Sequence, residues 1–189
     1  MQEKTKNVLL VVLIVGLVSM TVAYAALTQT LTIKSSAKIN NTKWDVKIDN
    51  FAQAAAQPNL NGETSEATVA SGYNTTGTTI EGVEVTFMKP GDQVKFTFDL
   101  VNEGDINAKL TSFTLGAPDA DTKVTKSVVC GTGTKAEPVA DSAAMKLAKT
   151  NGSIPCEMTL TLAADAEMAT GTTPTPVTIP NTVFDYMQD

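Results

Sequence analysis

The run Val94, Phe96, Phe98 and Leu100, alternating with Lys95, Thr97 and Asp99, constrains this chain more than any other stretch. Period-two alternation puts four large apolar side chains on one face of an extended strand, a pattern that no amphipathic helix can use. Turn chemistry stands on both sides, Lys89-Pro90-Gly91-Asp92 before it and Asn102-Glu103-Gly104-Asp105 after it. Val83, Val85 and Phe87 carry the same alternation upstream, so a β-hairpin turning at Lys89–Asp92 is expected. Phe96 and Phe98 should then be buried together, with Gly91 in a turn conformation that larger residues resist.

The same device recurs along the chain. Trp44, Val46 and Ile48 alternate with Asp45, Lys47 and Asp49, and a further strand is expected near Leu110 to Leu115. "KVTKSVVC" and "CEMTLTLAAD" follow as strands, with Cys156, Met158, Leu160 and Leu162 sharing a face. Between them "ADSAAMKLAKTNG" predicts one short helix, with Asp141 as its N-cap and Asn151-Gly152 as its stop. Residues 52–79 are small and polar and suggest a long loop with one weak strand at 67–70, either a partner-covered segment or a solvated insertion. Pro174, Pro176 and Pro180 suit an edge strand or an extended arm in the tail. The expected fold is all-β, a jelly-roll-like β-sandwich with one short helix and an extended N-terminal strand.

The N-terminus is of a different kind. Lys4 and Lys6 precede the apolar run "VLLVVLIVGLVSMTV", and Ala-Tyr-Ala before Ala26 has the small-x-small form a signal peptidase reads. The expected division is residues 1–25 as an export signal, 26–40 as an N-terminal strand and 41–189 as the sandwich domain. A retained helix is the rival reading, since the uncharged stretch from Val8 to Leu27 is long enough to span a bilayer. In either case contact with a membrane runs only through the uncleaved leader. From Leu27 the pattern turns to alternation, with Leu27, Leu31 and Ile33 on one face.

Charge and residue types remove several functions. The net charge is −6, with 14 Lys and no Arg, so the clusters and forks that hold phosphates are missing and no nucleic-acid partner is expected. No His is present, which takes away the usual general base and the commonest metal ligand. Neither a Gly-x-Ser-x-Gly elbow nor a phosphate-binding Gly loop occurs, so no enzyme and no cofactor is expected. Asp119/Asp121 and Glu103/Asp105 lie outside any calcium-loop pattern and are expected to be solvated turn carboxylates, with no metal site. Cys130 and Cys156 are expected to form one disulfide in an exported chain, against the alternative of two buried thiols. Sequons at Asn40, Asn74 and Asn151 are candidate glycosylation positions, of a kind that a Thr/Asn-rich chain also produces by chance.

The leader ending "TVAYAALTQTLTI", the following "KWDVKI" and "MKPGDQVKFTFDLVNEGDINAKL" resemble the TasA/camelysin family of secreted biofilm-fibre proteins. The resemblance covers the leader and the first half to about Leu115. It implies a jelly-roll sandwich and subunits joined by donor-strand complementation, the mature N-terminal strand of one copy filling a groove in the next. Leu27, Gln29, Leu31, Ile33, Ala37 and Ile39 would form that donor strand, the partner being another copy of the chain. The proteolysis linked to camelysin is not carried over, because a zinc protease would need His residues that this chain lacks. The competing readings are an ordinary first strand within its own subunit, and a membrane-anchored monomeric surface domain that binds carbohydrate or protein.

Overall fold

The computed structural model describes Lys6, Ile14, Val15 and residues 42–55, 57–168 and 176–189, and everything below concerns these. Residues 41–189 form one compact unit. Its regular structure is nearly all β, and it is built as an antiparallel β-sandwich.

The first sheet holds β1 (Val46–Gln53), β6 (Gln93–Asn102), β10 (Gly152–Leu162) and β8 (Val124–Cys130), in the order β1-β6-β10-β8. A second sheet has five strands in the order β3 (Asn74–Thr76), β4 (Thr79–Glu81), β12 (Thr182–Gln188), β7 (Ala108–Thr114) and β9 (Lys146–Leu147). A three-stranded sheet orders β11 (Val177–Ile179), β5 (Val83–Thr86) and β2 (Thr68–Val69). β6 along its whole length and β10 from Ile154 onward bury every second residue, as alternation requires. The core lies where these faces meet: Phe96 and Phe98 are 0% and 2% exposed, and the Phe98 ring in the first sheet sits 5.8 Å from Phe184 in the five-stranded sheet. Edge-on packing of that kind adds to the area term for each aromatic pair.

Several expectations change. Val83–Thr86 and Gln93–Asn102 do not pair, so the anticipated hairpin is an arch that carries the chain from one sheet to another. The reason is Asp92. Its carboxylate is fully buried and accepts the N–H groups of Met88 at 3.0 Å and Lys89 at 2.9 Å, while Gly91 and Asp92 bond across to Leu162. The turn's polar groups are thus satisfied locally and by β10, with no ladder between its arms. Gly91 has φ +85°, as the turn demands.

The short helix is a single 3₁₀ turn, Ala143–Met145, capped by the Ser142 hydroxyl; Asp141 instead takes φ +57° one residue earlier. Lys146–Leu147 then pair with β7 because burying Leu147 outweighs continuing the helix. The 52–79 segment is more ordered than a loop, contributing β2, β3 and the start of β4. In the tail, β11 is an edge strand as expected, but β12 sits centrally between β4 and β7, since Pro180 restricts only its own position before that strand begins. Trp44, expected on the inner face, precedes β1 and is 42% exposed.

Candidate functional site

The leader and the donor-strand positions Leu27, Gln29, Leu31, Ile33, Ala37 and Ile39 lie outside the described residues, as does Asn40. What the structure does describe is the point where that segment joins the domain. Asn102-Glu103-Gly104-Asp105 forms a clasp around Lys43–Asp45: Glu103 N–H donates to the Asp45 carbonyl at 2.8 Å, and Asp105 N–H to the Lys43 carbonyl at 2.9 Å. The Asp105 carboxylate accepts the Lys43 N–H in return at 3.1 Å.

The clasp needs a glycine. A Cβ on Gly104 would lie 2.6 Å from the Lys43 carbonyl and 2.9 Å from the Asp45 nitrogen, closer than any side chain tolerates. Asn102, fully buried, holds the turn from within, its amide donating to the Ile106 carbonyl and its oxygen accepting Gly104 N–H. Thr150 and Asn151 N–H groups reach the carbonyls of Gly104 and Asn102 and tie the turn to the start of β10. Lys43 pairs with Asp45 at 2.5 Å and Lys47 with Glu103 at 2.9 Å. The hydrogen bonds with Asp45 and Glu103 raise the Lys43 and Lys47 pKa values, and Lys43 lowers that of Asp45. Glu103 and Asp105, read from sequence as solvated turn carboxylates, therefore help to anchor the chain where it enters β1.

Cys130 and Cys156 form the disulfide, facing each other on neighbouring strands β8 and β10 with Cα atoms 4.1 Å apart. Both are buried, so the bridge is part of the core. Asn74 and Asn151 are exposed, Asn74 on the short strand β3 and Asn151 in a turn with φ +70°.

Among the described residues no group of three His, Cys, Asp or Glu is placed to hold a metal. A small cavity of about 80 Å³ opens between Gln53, Gln57, Ser65, Gln93 and Lys95, room for a few waters. No helix among the described residues is long and apolar enough to cross a membrane. One buried cation stands apart: Lys126 on β8, 8% exposed, donates to the carbonyls of Gly116 at 3.2 Å and Pro180 at 2.6 Å. It has no carboxylate partner among the described residues, and burial lowers its pKa to about 8. Sequence reading missed it, because alternation along "KVTKSVVC" points Lys126 inward with Val124 and Val128 but cannot say what its amine meets.

Comparison with protein-family models, with curated proteins and with solved structures returned no match.

Proposed function

We propose that the chain is an exported structural subunit that polymerises head to tail, residues 26–39 of one copy completing a sheet in the next. The observation that carries this reading is the clasp. It fixes Lys43–Asp45 at one end of the four-stranded sheet, so the alternating segment upstream is joined to a rigid root at a domain end. Such a segment can supply ladder hydrogen bonds for register and Leu27, Leu31 and Ile33 as anchors, each contributing about 1.5–3 kcal/mol when fully buried. Head-to-tail contacts join different surfaces and propagate without closing, as a filament requires. Cleavage by signal peptidase during export would release the segment from its membrane leader and so couple processing to assembly.

A chain shortened to start at Thr42 tests the proposal. It should remain folded but fail to form filaments, and a synthetic peptide of residues 26–39 should raise its melting temperature by binding the native state. Processed full-length protein that stays monomeric at high concentration, or filaments untouched by Leu31→Asp and Ile33→Asp, would refute it. N-terminal sequencing separates the rival: a start near Ala26 accords with a released subunit, a start at Met1 with an anchored monomeric surface domain.

A further inference from the structure

A strand at the margin of a sheet presents N–H and C=O groups with no ladder to complete, and such an edge is a template on which another chain can add a strand. Most edges in this sandwich are blunted by length. β2 and β9 have two residues each, and β3 and β11 have three. The two long edges belong to the four-stranded sheet, β1 with eight residues and β8 with seven. β1 is interrupted by a register shift between Asp49 and Ala52, where Asn50 takes φ +54°, and its Ile48 N–H donates to the Gly77 carbonyl at 2.8 Å. A bulge of that kind twists an edge away from a regular partner. β8 has no such break, and its register with β10 runs evenly from Val124 to Cys130.

The direction of the main-chain groups of β8 follows from its two ends. Cys130 exchanges both hydrogen bonds with Ala136, away from β10, at 2.7 and 3.0 Å, whereas the Gly131 N–H donates to the Pro155 carbonyl of β10 and the Lys123 carbonyl accepts the Ala163 N–H. Alternation then turns the N–H and C=O of Lys126 and Val128 outward, and those of Thr125, Ser127 and Val129 toward β10. Among the described residues nothing pairs with the outward groups at 126 and 128. The strand also carries the β-branched residues Val124, Thr125, Val128 and Val129, which favour pairing. One residue breaks the pattern. Lys126 points inward between Val124 and Val128, and its Nζ meets the carbonyls of Gly116 and Pro180, in the connections that follow β7 and β11.

We propose that Lys126 guards this edge and keeps β8 from pairing with the same strand of another copy. A strand laid along β8 would enclose the ammonium completely, and that charge has no carboxylate partner among the described residues. Enclosing an uncompensated charge is strongly unfavourable. An apolar residue at 126 would instead continue the buried face of Val124 and Val128 and leave the outward groups free to pair. Inward-pointing charge is a known protection of sheet edges, and here it stands on the long edge that neither shortness nor a bulge protects. The excluded partner is a second copy because two identical edges pair antiparallel about a two-fold axis, joining two four-stranded sheets into one. The guard is independent of the head-to-tail reading.

Amide exchange on the full chain, at low and high concentration, reads the edge directly. In the native chain the amides of Lys126 and Val128 should exchange freely at every concentration, while those of Thr125, Ser127 and Val129 are protected by β10. In Lys126→Met the amides at positions 126 and 128 should slow about tenfold or more as concentration rises, with light scattering showing the paired species and the amides of β1 unchanged. Lys126→Gln keeps N–H donors but no charge, and should behave alike if Lys126→Met does not fold. Outward amides already protected in the dilute native chain would overturn the proposal, since the edge would then be covered. Folded variants that stay monomeric with both amides exchanging freely would also overturn it and leave Lys126 as a tie between two connections. Native filaments in which these two amides become protected would place the incoming strand at β8, ending the guard while leaving head-to-tail assembly standing.

Discussion

Replacing Lys126 by methionine should abolish a pH dependence of stability that the native chain shows above neutrality. Lys126 is buried against two main-chain carbonyls with no counter-charge among the described residues, and its pKa falls from 10.5 to about 8 through desolvation. The folded state therefore holds this proton less tightly than the unfolded chain does. Between about pH 8 and pH 10.5 the unfolded chain carries more protons, so folding stability rises with pH; below about pH 8 the penalty is present in full. A fall from 10.5 to about 8 corresponds to about 3 kcal/mol. In Lys126→Met that penalty disappears, but the Gly116 and Pro180 carbonyls lose their donor at about 1 kcal/mol or more each. Stability at pH 7 should thus change by only about 1 kcal/mol, while the rise with pH is lost. Urea unfolding at pH 7, 8, 9 and 10 measures this. The series stops at pH 10 because burial raises the Tyr186 pKa, and its hydroxyl contributes with opposite sign at higher pH. A native chain equally stable at pH 8 and pH 10, or a variant that keeps the rise, would refute the assignment of Lys126 as a buried uncompensated cation.

Three further outcomes follow from the fold. Reducing the Cys130–Cys156 bridge, which spans 26 residues, should lower stability by about 3.5 kcal/mol on a loop-entropy estimate, read from denaturant unfolding with and without reductant; intact protein should show no alkylatable thiol without prior reduction. Phe98→Ala removes a ring packed between the sheets and should cost about 3–5 kcal/mol, while an unchanged melting temperature would show that Phe98 does not carry the core. Gly104→Ala should break the clasp locally, so amide exchange at Glu103 and Asp105 should quicken far more than at β10; uniform protection would show that the root does not depend on that close approach.

Alternation along the sequence was enough to determine which faces of β6 and β10 are buried, since side chains on a strand point to opposite sides by geometry alone. The pair of cysteines, read beside an expected export signal, likewise led to the disulfide that the structure shows, and Gly91 to its turn. Pairing was not legible, because alternation fixes a face and not a neighbour. The Lys89–Asp92 turn signals a reversal whether its arms join one ladder or two sheets, and only the buried Asp92 carboxylate, bonded to its own turn, decided for an arch. The single 3₁₀ turn at Ala143 had ordinary capping signals, and tertiary burial of Leu147 overrode them in favour of a strand. Lys126 shows the same division: its inward direction could be read from its place between Val124 and Val128, but the two carbonyls it meets come from residues 10 and 54 positions away and converge only in the folded sandwich. The root clasp is a further case. Asn102-Glu103-Gly104-Asp105 was recognisable as a turn, yet Lys43 and Asp45 lie some 60 residues earlier, and long-range contacts of that kind leave no local pattern to read.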